Sequence, residues 1–389
     1  MININCLNNI SDKGLALFTS QYNKDAKFEE ADAVLVRSAK MHDMELPETL
    51  LAIGRAGAGV NNIPLDKCAD QGIVVFNTPG ANANAVKEMV IAAMLLGSRD
   101  YIGGFNWVKE NKTDPDIAKS AEKAKKAFAG TEIKGKKLGV IGLGAIGQLV
   151  ANAAISLGME VAGYDPYLSV TAAWNLSSKV EHIEKVEDIF KTCDIITIHV
   201  PALDSTKGMV NKAAFDLMKD GVILVNCARD TLVEEAALLD AVKTGKVKKY
   251  ITDFATPGVA NADTDKIIIL PHLGASTEEA EENCAKMAVE EVRDFIENGN
   301  ITHSVNYPAV NMGTCQTAGR IAVCHKNVPS VISKITAIFG NVNSNISNMA
   351  NQSRKDYAYT LIDIDAPATD DLIAQIAAVE GVLKVRVVK

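Results

Sequence analysis

The chain lacks the features that mark several protein classes. Its seven cysteines are odd in number and never form a CxxC pair, which favours free thiols in a reducing compartment and predicts no metal site. No apolar run approaches the roughly 20 residues that a membrane-spanning helix requires. The N-terminal residues show neither a basic leader nor an apolar core, so we expect no signal peptide and a cytoplasmic location.

A surplus of positive charge is also missing. Lysine and arginine total 40 against 48 acidic residues, which leaves a formal net charge of −8. Such a chain is not expected to bind nucleic acid or anionic membranes in a general way. With 389 residues, of which 48% are hydrophobic, it is long enough for two or three globular domains.

Short apolar runs that alternate with helical patterns are abundant. Residues 33–38, 50–57 and 72–80 are predicted strands, and residues 85–96 are a predicted helix. The lysine-rich segment 119–137 is interpreted as a solvated helix and connector. Six more strands are then predicted: "LGVIG", "EVAGYD", "CDIITIHVP", "GVILVNCAR", "KYITDF" and "KIIILPH". This alternation predicts an α/β protein with parallel sheets covered by helices on both faces.

The pattern changes after residue 274. Ser276 and Glu279 form a predicted capping box at the start of a long helix that ends at Gly299. From about Gly319 onward the predicted order is strand, helix, two strands, helix and strand. This βαββαβ order is typical of a ferredoxin-like module.

One glycine motif indicates a dinucleotide site. Gly142, Gly144 and Gly147 form GxGxxG between a predicted strand and a predicted helix, where a pyrophosphate would meet the helix N-terminus. Asp165 ends the next strand, 18 residues after Gly147. A carboxylate there accepts ribose hydroxyl groups and repels a 2′-phosphate, so the pattern predicts NAD rather than NADP.

Three predicted strands end in residues that suit a reaction. They are Arg229 in "NCAR", Asp253 in "YITDF" and His272 in "ILPH", and ligands of such sheets bind beyond the carboxyl ends of the strands. An arginine offers a planar fork for a carboxylate, and a histidine is suited to take a proton from an alcohol. Each residue alone has an ordinary structural explanation, such as an ion pair between Arg229 and Asp230. Their joint placement is what predicts catalysis.

Several long motifs closely resemble those of the D-isomer-specific 2-hydroxyacid dehydrogenases: "GRAGAGVNNI", "FNTPGANANAVKE", "GLGAIG…GYDP", "HVPALDSTKGMV", "VNCAR" and "PHLGAST". The resemblance covers essentially the whole chain. It implies two Rossmann-like or flavodoxin-like lobes with the substrate in the cleft between them. It further implies a substrate lobe of residues 1–97 completed by 275–305, an NAD-binding domain of residues 98–274, and a ferredoxin-like module of residues 318–389 that resembles an ACT domain.

The resemblance also implies roles for single residues. Arg229 matches the substrate-binding arginine, His272 the general acid/base, and Asp253 the aspartate that contacts the nicotinamide carboxamide. The implied NAD contacts are Gly142, Gly144, Ala145, Ile146, Gly147, Asp165, Val200, Cys227, Ala228, Arg229, Asp253, His272 and Gly274.

The implied substrate is 3-phospho-D-glycerate, oxidised with NAD to 3-phosphohydroxypyruvate in the first step of L-serine biosynthesis. Arg37, Arg55 and Asn82 match positions that bind phosphoglycerate in this family. The implied contacts of the substrate carboxylate are the backbone amides of Ala58, Gly59 and Val60. Two alternatives stay open: a dehydrogenase for another D-2-hydroxy acid, and a non-catalytic NAD-sensing protein.

In one place the chain departs from the family pattern. The family has a glutamate five residues after the aspartate, and that residue is Gly258 here. A histidine without a carboxylate partner has a lower pKa and a looser orientation. Asp263, Asp265 and Glu278 are alternative sources of a carboxylate, and the sequence does not choose among them.

The C-terminal module carries a second group of polar residues. His325, Asn327 and Asn345 match positions that hold L-serine at the interface between two such modules in serine-inhibited relatives. Asparagine and histidine are also common in loops and caps, so a purely structural role is the alternative. The resemblance implies that L-serine is an effector and that the chain forms a homodimer or a homotetramer.

Overall fold

The structure, a computed structural model, describes residues 1–389. Contacts divide the chain into two compact units, Met1–Ala81 with Glu278–Lys389 as the first and Asn82–Thr277 as the second. No helix combines the length with the apolar composition that crossing a bilayer takes.

The first unit opens with five short strands and two helices: β1 (Ile2–Cys6), α1 (Asp12–Leu15), β2 (Tyr22–Asn23), β3 (Ala33–Val36), β4 (Ala52–Arg55), α2 (Leu65–Asp70) and β5 (Val74–Phe76). The strands form a parallel sheet in the order β2-β1-β3-β4-β5. The three predicted strands are confirmed as β3, β4 and β5, which are almost entirely buried. No strand was predicted at β1 or β2, because "ININC" places polar asparagines between its apolar residues and β2 has only two residues.

The second unit contains the larger sheet. Its helices are α3 (Ala83–Ser98), α4 (Tyr101–Glu110), α5 (Ile117–Ala124), α6 (Ala145–Ser156), α7 (Val170–Asn175), α8 (Val186–Thr192), α9 (Lys212–Leu217), α10 (Glu235–Thr244) and α11 (Pro257–Ala260). Its strands are β6 (Lys137–Ile141), β7 (Glu160–Tyr164), β8 (Glu181–His182), β9 (Ile195–Ile198), β10 (Val222–Asn226), β11 (Val247–Thr252) and β12 (Ile267–Ile269).

All seven strands are parallel, in the order β12-β11-β10-β9-β6-β7-β8. The chain crosses over between β8 and β9, which is the arrangement of a doubly wound nucleotide-binding sheet. The six predicted strands are confirmed. The seventh, β8, was missed because both of its residues are exposed and give no apolar signal.

Helix α3 was predicted as residues 85–96 and packs inside the second unit. Its Val90, Ala93 and Met94 share a core with Leu138 of β6 and Ile223 of β10. The boundary between the units therefore falls before α3, whereas the predicted boundary falls after residue 97.

The end of the chain completes the first unit. Its elements are α12 (Glu278–Asn298), β13 (Gly319–Lys326), α13 (Val331–Asn341), β14 (Ile346–Arg354), β15 (Tyr357–Ile364), α14 (Asp370–Ala377) and β16 (Val382–Val387). The predicted βαββαβ order is thus present, as an antiparallel sheet in the order β14-β15-β13-β16. Helix α12 begins at Glu278, so Thr277 rather than the predicted Ser276 directly precedes its first residue. It ends before Gly299, which has a φ of 76°.

The antiparallel sheet is covered on both faces. Helices α13 and α14 bury Val331, Ile335 and Phe339, among others, against one face. On the other face Tyr359 packs near Phe295 of α12, and its hydroxyl donates to the Gly299 carbonyl at 2.7 Å. The module therefore shares a core with the beginning of the chain.

Candidate active site

The strand-end residues predicted from the sequence lie at one edge of the seven-stranded sheet. Arg229 follows β10, Asp253 follows β11 and His272 follows β12. Because neighbouring parallel strands end at the same edge, their side chains are brought together. Arg229 and His272 are exposed, and Asp253 is buried.

Asp253 is the centre of this group. It is 3% exposed; its Oδ2 accepts from the Gly274 amide at 3.4 Å, and its Oδ1 has no hydrogen-bond partner. Burial raises the pKa of Asp253 above its ordinary value, and the charges of a protonated His272 and of Arg229 oppose that shift. Arg229 and His272 therefore both lie near one buried carboxylate.

The backbone of His272 is strained and its ring is lightly held. Its φ is 52°, a left-handed value that costs a non-glycine residue about 1–3 kcal/mol. The His272 amide donates to the Asp253 carbonyl at 3.0 Å, which fixes the backbone to the end of β11. The imidazole meets the Phe254 ring edge-on at 4.9 Å between centroids. Neither this backbone geometry nor this contact was predicted.

Asn226 is a second residue that sequence reasoning missed. It is fully buried at the end of β10, its Nδ2 donates to the Arg229 carbonyl at 2.8 Å, and its Oδ1 accepts from the Ala228 amide at 3.2 Å. The side chain thereby holds the turn that presents Arg229. A polar residue at the end of the apolar run "VILVN" is the signal that would have found it.

The carboxylates weighed as partners for these groups lie elsewhere. Arg229 forms no ion pair with Asp230; its Nη1 donates to the Ala228 carbonyl at 2.6 Å. Asp265 lies 3.4 Å from the Lys249 Nζ, and Asp263 is exposed. Glu278 belongs to the first unit and helps to raise the pKa of Lys13 there.

The glycine motif forms a cradle suited to a dinucleotide. Gly142 has a φ of 91°, and a Cβ on it would lie 2.7 Å from the His199 carbonyl oxygen. A Cβ on Gly147 would lie 1.9 Å from the Gly142 oxygen, whereas one on Gly144 would meet nothing within 4 Å. Space is therefore open over Gly144, directly before Ala145 at the start of α6. The first amides of a helix have no partner inside it and are free to bind phosphate.

The remaining predicted NAD contacts surround this cradle. Asp165 accepts from the Leu143 amide at 2.8 Å through Oδ2, which ties its carboxylate to the glycine turn. Val200 lies beside Gly142, and Ile146 is in the first turn of α6. Cys227 and Ala228 form the turn before Arg229; Cys227 is 8% exposed and belongs to the core beneath this edge.

The first unit contains the predicted anion-binding turn. No protein acceptor takes the amides of Ala58, Gly59 or Val60. Gly57 has a φ of 143°, and a Cβ on it would lie 1.4 Å from the Arg55 Nη1. Only glycine therefore lets the Arg55 guanidinium pack over this turn.

The two arginines predicted to bind phosphate are brought near one another. Arg37 directly follows β3 and Arg55 ends β4, and these two neighbouring strands pair with Val36 opposite Arg55. Arg37 also pairs with Glu281 at 2.6 Å. A half-exposed pair of this kind contributes about 0–1 kcal/mol, so an incoming phosphate meets little resistance from it. Asn82 is the residue before α3, in the second unit.

The predicted effector residues are not brought together within one chain. His325 is 2% exposed, and its Nε2 lies 2.9 Å from the Thr360 hydroxyl. Asn327 bonds to the Lys355 carbonyl, beyond one end of β14, and Asn345 precedes the other end. The nine residues of β14 separate the two asparagines by roughly 30 Å.

Comparison with known proteins places this geometry in context. Residues 91–274 match the family described as D-isomer specific 2-hydroxyacid dehydrogenase, NAD binding domain. The chain is 30% identical over 353 residues to a D-3-phosphoglycerate dehydrogenase of Haemophilus influenzae, covering 88% of this chain and 82% of that protein. It is 36% identical over 287 residues to a D-3-phosphoglycerate dehydrogenase of Archaeoglobus fulgidus, with 72% of this chain but only 52% of that protein covered. The chain thus spans about half the length of the archaeal relative.

Solved structures give the same picture. An NAD⁺-bound 3-phosphoglycerate dehydrogenase of Entamoeba histolytica is 27% identical with a TM-score of 0.62, covering 78% of this chain and 98% of that one. A D-2-hydroxyisocaproate dehydrogenase covers 79% of this chain and 100% of its own, at a TM-score of 0.63 and 23% identity. At that identity the likeness concerns the fold alone.

Proposed function

The chain belongs to the D-isomer-specific 2-hydroxyacid dehydrogenase family, and from this premise we propose that it oxidises 3-phospho-D-glycerate to 3-phosphohydroxypyruvate with NAD, the first step of L-serine biosynthesis. The observation that carries the proposal is that Arg229, Asp253 and His272 follow the neighbouring parallel strands β10, β11 and β12, and that the His272 amide donates to the Asp253 carbonyl at 3.0 Å. An anion-binding group and a proton-accepting group thus stand at the ligand-binding edge of a nucleotide fold.

The second unit supplies the residues that would hold NAD. The first amides of α6, after Gly144, suit the pyrophosphate. Asp165 suits the ribose hydroxyl groups. The Oδ1 of Asp253 is buried without a partner, and the carboxamide N–H of a nicotinamide would satisfy it. When bound, NAD supplies the hydride acceptor.

Two side chains carry the chemistry in this proposal. His272 takes the proton of the substrate hydroxyl while the hydride leaves the same carbon, so the alcohol becomes a ketone. Arg229 binds the carboxylate and the adjacent oxygen through its planar fork. The turn held by Asn226 fixes the backbone of Arg229, and the bond from the His272 amide to the Asp253 carbonyl fixes the backbone of His272.

The other substrate contacts follow from charge. We assign the carboxylate to the free amides of Ala58, Gly59 and Val60, and the phosphate to Arg37 and Arg55, because a second anionic group needs cations beyond Arg229. Asn82 is assigned a further polar contact. The phosphate assignment is what separates this substrate from an unphosphorylated D-2-hydroxy acid.

A steady-state assay of NADH formation tests the proposal. We expect 3-phospho-D-glycerate to exceed D-glycerate and D-lactate in kcat/KM, and His272→Ala to lower kcat about 10²–10⁴-fold with NADH affinity retained. The double variant Arg37→Ala/Arg55→Ala should raise KM for the phosphorylated acid more than for D-glycerate. Equal KM values for the double variant and the wild type would remove the phosphate assignment. NADH binding without turnover of any acid would favour the sensing protein.

We also propose that residues 318–389 form an ACT-like module that binds L-serine between two copies of the chain, in a homodimer or a homotetramer. The βαββαβ order and the strand order β14-β15-β13-β16 support the module. Asn327 and Asn345 lie at opposite ends of β14, so a small amino acid that contacts both requires a second copy. The three-domain division and the cytoplasmic location stay predictions.

A further inference from the structure

The segment that follows β11 begins at the active-site edge of the sheet and ends at a hydrogen bond to helix α10. It carries Asp253 and Phe254 at one end and Thr256 at the other. Phe254 meets the His272 ring edge-on at 4.9 Å, and no hydrogen bond from the protein orients that imidazole. The Phe254 ring is therefore a packing contact of the imidazole, and a shift of Phe254 would alter the surroundings of the His272 ring.

A carboxylate holds the far end of this segment. Glu235, the first residue of α10, accepts a hydrogen bond from the Thr256 hydroxyl. The same hydroxyl oxygen accepts from the Val259 amide at 3.4 Å and so caps α11. One side chain of α10 thus secures both the end of the segment and the short helix that continues it.

The Glu235 carboxylate lies in the space beside Gly258. Its φ is not in the left-handed region, so its backbone alone does not call for glycine. A Cβ on Gly258 would lie 1.9 Å from the Glu235 Oε1. Glycine at 258 therefore leaves the room that the Glu235 carboxylate occupies.

The Phe254 amide donates to the Thr252 hydroxyl at 3.1 Å, which holds the beginning of the segment, and Glu235 holds its end. Phe254, Thr256 and Glu235 all line a pocket of about 290 Å³. A hydrogen bond to a carboxylate is stronger than one to a neutral acceptor, so the bond to Glu235 is a firm restraint on Thr256.

From this geometry we infer that Glu235 is a positioning residue for the proposed general base His272, acting through Thr256 and Phe254. The inference rests on the proposed function for its kinetic consequence only. The orientation of His272 then depends on a carboxylate of α10, whereas the family pattern has its glutamate five residues after Asp253.

Three variants test the inference in the full-length protein. Glu235→Ala removes the acceptor and should lower kcat for 3-phospho-D-glycerate about 10-fold or more, with KM and NADH affinity within about twofold. Glu235→Gln keeps an oxygen acceptor for Thr256 and should retain most of kcat. Glu234→Ala, an exposed neighbour, is the matched control and should behave as the wild type.

A double-variant cycle separates positioning from general destabilisation. Gly258→Ala should lower kcat on its own because the new methyl group displaces the Glu235 carboxylate. In the Glu235→Ala background the same change should have little further effect. Full kcat in Glu235→Ala, equal losses in the Gln and Ala variants, or additive losses in the cycle would each overturn the inference.

A spectroscopic measurement keeps this inference distinct from the reaction itself. The chain has only six histidines, and His272→Ala assigns the His272 ring signal in a ¹H–¹³C spectrum. Glu235→Ala should move that signal by altering the ring-current shift from Phe254, and Glu235→Gln should not. An unmoved signal contradicts the inference whatever the substrate. A moved signal in a protein that does not oxidise phosphoglycerate leaves the inference standing and removes the proposed function.

Discussion

The edge of the seven-stranded sheet and the interior of the C-terminal module each hold an arginine and a histidine, in opposite circumstances. Arg229 and His272 are exposed. Arg320 is 0% exposed, and each of its five N–H groups has an acceptor. These acceptors are Asp363 at 2.5 and 2.8 Å and the carbonyls of Asn298, Gly313 and Met312.

The two histidines differ in the same way. His325 is buried, with its Nδ1 2.8 Å from the Lys326 carbonyl and its Nε2 2.9 Å from the Thr360 hydroxyl, whereas the ring of His272 packs edge-on against Phe254 and makes no hydrogen bond. A side chain whose donors are all engaged stabilises the fold, and one whose donors face solvent is available to a ligand. The two regions contain the same residue types. They differ in whether the hydrogen-bonding groups of those side chains have partners within the protein.

The largest effect is expected from breaking the buried ion pair between Arg320 and Asp363. Arg320→Met leaves the Asp363 carboxylate, 5% exposed, without its partner and should destabilise the first unit by about 3–5 kcal/mol. Urea unfolding followed by circular dichroism measures this. Arg320→Met combined with Asp363→Leu should recover part of the loss, since no charge then stays buried alone although the three carbonyls still lack their donor. An unchanged unfolding midpoint in the single variant would contradict the structural role of this pair.

Replacement of Arg229, most of whose N–H groups have no acceptor in the protein, should lower activity and leave stability unchanged. Arg229→Ala should lower kcat/KM about 100-fold, equivalent to roughly 2.7 kcal/mol, because a charge-assisted bidentate contact is lost. Its unfolding midpoint should stay at the wild-type value, since the guanidinium bonds only to the Ala228 carbonyl. A lowered midpoint together with unchanged kcat/KM would reverse the comparison.

The smallest of the three effects is expected at the proposed L-serine site. We expect L-serine to release or absorb measurable heat in a calorimeter and to inhibit the dehydrogenase. Asn345→Ala should weaken this binding about 5–10-fold, the equivalent of one hydrogen bond, and leave kcat without serine unchanged. Absence of both heat and inhibition in the wild type would end the serine proposal. Light scattering with and without serine measures the number of chains that assemble.

Local patterns accounted for most of the fold. β9 and β10 were predictable because buried parallel strands are continuous apolar runs, and their burial is complete. β8 was not predictable because two exposed residues carry no such pattern. The helices of the C-terminal module were predictable because their apolar residues recur on one face, as Val331 and Ile335 do.

The active site was predictable only in part. The strand-end rule brought out Arg229, Asp253 and His272, since the ends of parallel strands share an edge. The left-handed φ of His272 occurs where its amide donates to the carbonyls of both Asp253 and Leu270, and no residue pattern encodes that. Asn226 was passed over because a polar residue at the end of an apolar run resembles an ordinary turn.

By itself the sequence determined the alternation of strands and helices, the glycine cradle and the residues at the strand ends, because each of these depends on neighbours within a turn or a strand. Only the tertiary structure decided that the Glu235 carboxylate bonds to Thr256, 21 residues away, that Arg320 is saturated and that Arg229 is not. Contacts of this kind depend on how distant segments pack. The free energy of a polar side chain is set by the partners that packing brings to it.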